Sequence, residues 1–187
     1  AADTAAGQIA HIRTLIHWGA TTFVIWPADS DSFKEVINEI TGAGGKVILY
    51  DRKINGFTPV SFIAGDNYDI GAKAAEYLNS YFADEIANGE DINYLEYLGD
   101  ESSVSKERTQ GFEDSLSHEF KLMAKKPSTG WNTEFTANYF ETWLNKATAE
   151  DIESLKAIFV HSDEIGFGVL QAINDYEGEA NLDVKVM

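Results

Sequence analysis

Residues 20–52 read ATTFVIWPADSDSFKEVINEITGAGGKVILYDR, and their rhythm sets the fold. Thr22 to Trp26 is a short apolar, β-branched and aromatic run stopped by Pro27, the pattern of a buried strand. Ser30 or Asp31 then offers a helix N-cap, and Phe33, Val36, Ile37 and Ile40 recur at helical spacing. Gly42, Gly44 and Gly45 end that helix, and Val47 to Tyr50 forms a second apolar strand. Strand, helix and strand in that order predict two parallel neighbours joined by a crossover.

The same alternation continues in both directions. Upstream, Ile9, Ile12 and Ile16, widened by Leu15, mark a helix that Gly19 closes. Downstream, Val60 to Ile63 reads as a strand, and Asp66 or Asn67 can cap a helix carrying Ile70, Ala74, Tyr77, Leu78 and Tyr81. The acidic stretch FADEIANGED, residues 82–91, breaks the pattern and is read as a lobe boundary. Beyond it come a strand at 92–98, a polar loop at 99–105, a helix at 106–118 and a strand at 120–123. The loop 124–133 leads to a helix whose Phe135, Tyr139 and Trp143 are expected in the core. A strand at 157–160, a helix at 163–176 and a strand from 184 complete the series.

The expected class is therefore α/β, with two Rossmann-like lobes whose parallel sheets carry helices on both faces. Residues 1–82 form the first lobe, 83–91 the connection and 92–187 the second. The chain opens into a helix and stops inside an apolar strand. The first lobe is thus expected to lack its N-terminal strand and helix, and the second its C-terminal part. A small complete α/β protein is the alternative.

The chain has 187 residues, 31 acidic against 14 basic, for a formal net charge of −17. Such a surface repels phosphate backbones and anionic lipid, so neither nucleic acid nor a membrane surface is an expected partner. With no cysteine, a disulfide scaffold, thiolate zinc sites and a cysteine nucleophile are excluded. No run of 18 apolar residues occurs, and the opening AADTAAGQIAHI lacks the basic and apolar regions of a signal peptide.

Catalytic and cofactor signatures fail on inspection. Gly42-Ala-Gly-Gly-Lys46 follows a helix and precedes a strand, whereas a phosphate loop needs strand first and helix second. His11, His17, His118 and His161 show no zinc spacing, and Asp29-Ser-Asp31 lacks the glycine and glutamate of a calcium loop. No G-x-S-x-G elbow supports Ser102 or Ser103 as a nucleophile, and no pair of carboxylates is marked as a glycosidase pair. No enzyme, metal or cofactor is expected.

What remains lies at the C-terminal ends of predicted strands, where open α/β sheets bind ligands. Asp51 and Arg52 follow the strand ending at Tyr50, and Arg108 opens the helix after the strand at 92–98. Trp131 lies in the loop after the strand at 120–123, and Ser162 and Asp163 follow that ending at 160. Carboxylate, guanidinium, indole and hydroxyl together suit a small polyhydroxylated ligand. Each also has a structural role open to it. Asp51 and Arg52 can pair or cap a turn, Arg108 can be a solvated charge, and Trp131 can be a core aromatic. Ser162 and Asp163 read as an N-cap pair, the favoured role for Asp163, and Asp66-Asn67 reads mainly as a capping device.

Five stretches carry a resemblance: GQIAHIRTLIHWGATTFVIWPADSDSF, AGGKVILYDRKI, IAGDNYDIGAKAAEYL, SVSKERTQGFEDSL and IFVHSDEIGFGVLQAI. In this order and spacing the chain resembles the sugar-binding proteins of bacterial ABC importers, of the ribose/galactose-binding class, which share their fold with LacI-type regulators. The resemblance implies that Asp51 and Arg52 are the ligand pair of the first lobe and Arg108 the cleft arginine of the second. It places the loop aromatic at Trp131. It places Ser162 where the family usually has an asparagine before an aspartate, a departure that puts one hydroxyl where an amide would offer donor and acceptor. SVSKER is similar to members that take furanose or fructose-like sugars.

The resemblance implies a sugar bound between the lobes, an ABC permease as partner, and a location outside the cytoplasm, in the periplasm or at the cell surface on a lipid anchor. It implies further strands and sugar contacts beyond both ends. Another chain or fragment is expected to supply them, or else sugar binding is weak. The alternative is the sensor domain of a LacI-type regulator. The negative charge and the Tyr50-Asp51-Arg52 motif favour transport.

Overall fold

The computed structural model describes residues 4–187, so residues 1–3 of the expected first lobe lie outside the described residues. The chain divides into two compact units: residues up to Asp66 together with Ser102–Val104, and Asn67–Glu101 together with Ser105–Met187. The division falls at Asp66/Asn67 rather than at the acidic stretch. The helix expected to close the first lobe belongs instead to the second unit, and residues 83–91 hold a short helix of that unit instead of a connection.

The first unit contains α1 (Ala5–His17), β1 (Thr22–Ile25), α2 (Lys34–Gly42), β2 (Lys46–Tyr50) and β3 (Ser61–Ile63). Its three strands are parallel in the order β1-β2-β3. Thr4 caps α1 by accepting from the Gly7 N–H at 3.2 Å. Before α2 the Asp29 carboxylate accepts from the N–H groups of Asp31 and Ser32, at 2.9 and 2.7 Å. Phe23, Ile25, Val47 and Leu49 point to one face and pack on Ile12, Phe33, Val36, Ile37 and Ile40. The strands were expected to be buried on both faces; in this unit they are buried on one. Val24 is 71% exposed, and Ile63 is exposed with it, because α1 and α2 cover the opposite face.

The second unit contains α3 (Asn67–Tyr81), α4 (Ala83–Asn88), β4 (Ile92–Tyr97), α5 (Ser103–Ser115, its first two residues grouped with the first unit) and β5 (Phe120–Leu122). It continues with α6 (Thr133–Leu144), α7 (Ala149–Ser154), β6 (Leu155–Val160), α8 (Asp163–Asn174) and β7 (Lys185–Val186). All four strands are parallel in the order β5-β4-β6-β7. Here both faces are covered, and the alternation along β4 shows how. Leu95 and Tyr97 join Ile158, Phe140, Ile165 and Val169 beneath α6 and α8. Ile92 and Tyr94 join Ala157, Phe159, Ala75, Leu78 and Phe112 beneath α3 and α5.

Two helices show faces other than the expected ones. The buried line of α3 is Asn67, Gly71, Ala75 and Leu78, while Ile70, Tyr77 and Tyr81 are exposed. On α6 the buried residues are Thr136, Ala137, Phe140 and Leu144; Phe135 is 56% and Tyr139 41% exposed, and only Trp143 of the expected trio is partly buried. Close approach explains both. A Cβ on Gly71 would lie 1.9 Å from the Arg108 carbonyl oxygen, and one on Gly111 would lie 2.0 Å from that of Tyr68. One on Gly168 of α8 would lie 2.3 Å from the Thr133 carbonyl oxygen at the start of α6. Helices this close must meet through their smallest residues, so the bulky stripes turn outward. The helix expected at 106–118 begins at Ser103 instead.

One carboxylate is buried in the sheet of the second unit. Glu96 of β4 accepts at Oε1 from the Thr109 hydroxyl, 2.6 Å away, and lies 3.1 Å from His161 Nε2. Its Oε2 lies 2.7 Å from the Lys126 ammonium, which also reaches Glu113 at 2.6 Å. Burial is the largest influence and pushes the Glu96 carboxyl up. The hydrogen bonds from His161, Lys126 and Thr109, with the charge of Lys126, outweigh it and hold the group below its ordinary value.

Two measurements follow. Gly111→Ala should lower stability in urea titration by about 1–3 kcal/mol, because the new methyl meets backbone and no rotamer relieves it; an unchanged midpoint would contradict this packing. A carboxyl with a lowered folded pKa stabilises above its unfolded value, 4.5, and loses that contribution as pH falls through the folded one. Stability should therefore fall more steeply below pH 4.5 in the wild type than in Glu96→Gln, and parallel pH profiles would contradict the assignment.

Candidate functional site

In the first unit the site is built where β1 and β2 end. Pro27 stops β1, and Trp26, expected within a buried strand, is 57% exposed. Gln8 of α1 fixes this strand end, donating to the Trp26 carbonyl at 3.1 Å and accepting from the Ala28 N–H at 2.9 Å. Directly after β2, Asp51 sits at φ 65°, a left-handed conformation that aspartate tolerates better than most residues. Its N–H donates to the Ile63 carbonyl at 2.8 Å, and the Arg52 N–H to that of Tyr50 at 2.7 Å.

This turn brings the expected pair together. Asp51 Oδ2 accepts from the Trp26 indole N–H at 3.0 Å and lies 3.7 Å from Arg52 Nε. Arg52 Nη1 donates to the Ala28 carbonyl at 2.9 Å, and its guanidinium lies 5.9 Å from the Trp26 ring centroid. Tyr50 meets the Trp26 ring edge-on at 6.3 Å. Asp51 and Arg52 do pair, as the structural alternative held, yet the pair is one part of a partly exposed cluster with an aromatic wall. Trp26 and Gln8 were not singled out in the sequence; a tryptophan directly before the strand-stopping Pro27 was the available signal.

In the second unit Arg108 lies in the second turn of α5 rather than at the helix opening. Its Nε donates to Asn67 Oδ1 at 3.0 Å, and its Nη1 donates to the His161 carbonyl in a short contact. The solvated-charge alternative for Arg108 therefore does not hold. Asn67, read mainly as a capping residue, is buried as the first residue of α3 and orients the guanidinium. Trp131 stands 5.6 Å from the guanidinium, measured to its ring centroid. A Cβ on Gly99 would lie 2.2 Å from the indole, so Gly99 makes room for it. Trp131 itself has φ 58°, an outlier for so bulky a side chain. Gly130 before it, at φ 64°, donates to the Gly99 carbonyl at 2.6 Å, and Asn132 after it caps α6.

Ser162 follows the carbonyl that Arg108 holds. It is the N-cap of α8, its Oγ accepting from the Ile165 N–H at 3.5 Å, and Asp163 is the first helical residue rather than the cap. Arg108, His161, Ser162 and Asp163 also line an open cavity of about 750 Å³ within this unit, whose far wall includes Phe167, Leu170 and Met187. A second cavity of about 700 Å³, beside Tyr97, Met123, Tyr139 and Trp143, contains none of the expected site residues. Among the described residues no group of three His, Asp or Glu side chains is placed to hold a metal ion. No helix among them is long and apolar enough to cross a membrane.

The expected residues thus form two clusters. Asp51 and Arg52 join Trp26 in one unit; Arg108 and Trp131 adjoin, with Ser162 next to an Arg108 anchor, in the other. Each offers a guanidinium fixed by carbonyl oxygens and an aromatic ring, with a carboxylate in the first. Such groups bind hydroxyls and pack on C–H faces without activating a nucleophile.

Known proteins share this sequence and fold. The ribose import binding protein RbsB of Bacillus subtilis (strain 168) is 25% identical over 174 residues, covering 93% of this chain and 53% of its own length. The D-ribose/D-allose-binding protein of Pseudomonas aeruginosa is 26% identical over 180 residues, with 91% of this chain and 52% of its own covered. The chain spans about half the length of these curated relatives. Among solved structures, a galactofuranose binding protein superposes with a TM-score of 0.84 at 20% identity, covering 98% of this chain and 61% of its own. The fructose binding periplasmic domain of a hybrid two-component system gives 0.83 at 24%, covering 100% and 58%. The sequence model described as "Periplasmic binding protein domain" matches residues 1–186, and the chain belongs to that family.

Proposed function

We propose that this chain serves an extracytoplasmic solute-binding protein, taking a sugar in a cleft between its two units and passing it to an ABC permease in the membrane. The observation that carries the reading is the seating of Arg108. The guanidinium is held at Nε by Asn67 and at Nη1 by the His161 carbonyl, and the Trp131 indole stands 5.6 Å from it. A fixed fork of donors beside a flat aromatic face matches a sugar ring, which has hydroxyls at its rim and C–H groups on its faces. Asp51 beside Trp26 offers the complementary acceptor, since a carboxylate takes two hydroxyl donors. The names of the relatives, for ribose, allose, galactofuranose and fructose, support a sugar as the ligand class.

The action required is binding. A sugar that touches both clusters stabilises the closed arrangement by the difference between its affinities for the closed and open states. Each buried hydroxyl left without a partner costs about 1–3 kcal/mol, so a misplaced hydroxyl is selected against. Ser162 already accepts from Ile165 and contributes chiefly its O–H as a donor, a narrower contact than an amide would make. The family supports a location outside the cytoplasm, in the periplasm or at the cell surface on a lipid anchor. A net charge of −17 weighs against nucleic acid as a partner. The sheet face that carries Val24 and Ile63, both exposed, supports a further partner, a stretch of polypeptide from another chain or fragment that covers the first unit's sheet.

Titration calorimetry with D-ribose, D-allose and D-fructose tests the reading. At least one should give a heat of binding, and Asp51→Ala and Arg108→Ala should each weaken it about 10- to 100-fold, the loss expected for a charge-assisted hydrogen bond. Variants that keep their fold and bind as the wild type does would move the site elsewhere. Sedimentation checks the covering partner, because a lone monomer binding at micromolar concentration would remove the need for one.

A further inference from the structure

The Glu96 carboxylate meets side chains from three directions, and each belongs to a segment that carries a ligand group. Thr109, 2.6 Å from Oε1, directly follows Arg108 on α5. His161, 3.1 Å from the same oxygen, precedes Ser162, and its carbonyl accepts from Arg108 Nη1. Lys126, 2.7 Å from Oε2, stands in the loop that leads to Trp131. We propose that Glu96 is a positioning residue: it touches no ligand, and it fixes Arg108, and through two neighbouring segments Trp131 and Ser162, in the geometry that grips the sugar.

The chemistry requires a carboxylate specifically. One oxygen receives two donors while the other faces an ammonium, and Glu96 is fully enclosed, so water replaces none of them. Glutamine has a single acceptor oxygen, and its amide nitrogen would face either the Lys126 ammonium or the Thr109 and His161 donors. In either orientation at least one segment loses its tie. The His161 ring is itself fully enclosed, so when it shifts it takes along the backbone carbonyl that anchors Arg108. Glu113 provides the contrast. It also pairs with Lys126, at 2.6 Å, but it is half exposed, and among the described residues its carboxylate makes no hydrogen bond to the Thr109 or His161 side chain.

The proposal rests on the sugar-binding reading for its consequence, and its test separates the two. The chain has only three arginines, Arg13, Arg52 and Arg108, so the Nε–H groups give three resolvable cross-peaks in a nitrogen–proton correlation spectrum. In the wild type the Arg108 signal should exchange slowly with water because Nε–H donates to Asn67. In Glu96→Gln it should shift and exchange at least several-fold faster, with the signals of Arg13 and Arg52 in place. In Glu113→Gln it should stay as in the wild type. An Arg108 signal unchanged in folded Glu96→Gln, or changed equally in Glu113→Gln, would overturn the proposal. If Glu96→Gln does not fold, Thr109→Val removes a single hydroxyl from the carboxylate and is read against the same two outcomes. D-ribose, D-allose and D-fructose titrated into the same samples add the functional arm, with roughly tenfold weaker binding expected in Glu96→Gln. A wild-type chain that takes none of these sugars would count against the functional reading alone, while the arginine signals still decide the positioning.

Discussion

The Cβ that Gly71 lacks would lie 1.9 Å from the Arg108 carbonyl oxygen, and the one Gly111 lacks would lie 2.0 Å from that of Tyr68. Across this pair of positions α3 and α5 touch backbone to backbone, and much of the second unit follows from it. The contact brings Asn67 at the start of α3 within hydrogen-bond reach of Arg108 on α5. It sets Phe112 stacked on Phe159 at 4.0 Å, sealing one face of the sheet. At the crossing point itself it leaves no room for a side chain, and Tyr77 and Tyr81 stay outside. A protein interior packs too densely for two helices to come this near through any other residue type.

Each candidate cluster contains a residue on unusual backbone. Asp51 and Trp131 are the non-glycine residues with positive φ among those described, and each lies in one of the two clusters. Strained backbone persists where its surroundings hold it, and it concentrates at working sites. At Asp51 the turn is held by the Ile63 carbonyl and the Trp26 indole, and at Trp131 by Gly99, Gly130 and the Asn132 cap. At Asp51 the bond from the Trp26 indole orients the side chain as well as holding the turn.

The buried carboxylate of Glu96 shows how a polar group is tolerated in a sheet core. Alternation along β4 sends it into the face shared with Tyr94 and Phe159, where an isolated charge would be costly. Three partners converge on it, and they arrive from segments that carry the candidate site residues. In the sequence it is one glutamate among 31 acidic residues, set in a strand of mostly apolar and aromatic residues.

Sequence alone determined the alternation of strands and longer helices and the parallel sheets, though not the short helices α4 and α7, and it placed Asp51, Arg52 and Ser162 directly after strands. These follow from local periodicity and from the rule that parallel strands need crossovers, which require no knowledge of distant residues. Apolar stripes misled at α3 and α6, because a stripe reports hydrophobicity while a close helix seam selects small size; Gly71, Ala75, Thr136 and Ala137 face inward where Tyr77 and Phe135 do not. The boundary at Asp66/Asn67 was hidden for a related reason: the acidic stretch signals solvent, whereas a unit's limits are set by which side chains pack together. Tertiary structure alone decided that Asn67 and His161 anchor Arg108, that Trp26 joins Asp51, and that Glu96 ties three segments together. Those partners lie tens of residues apart in the chain, and only the folded backbone brings their atoms within hydrogen-bonding range.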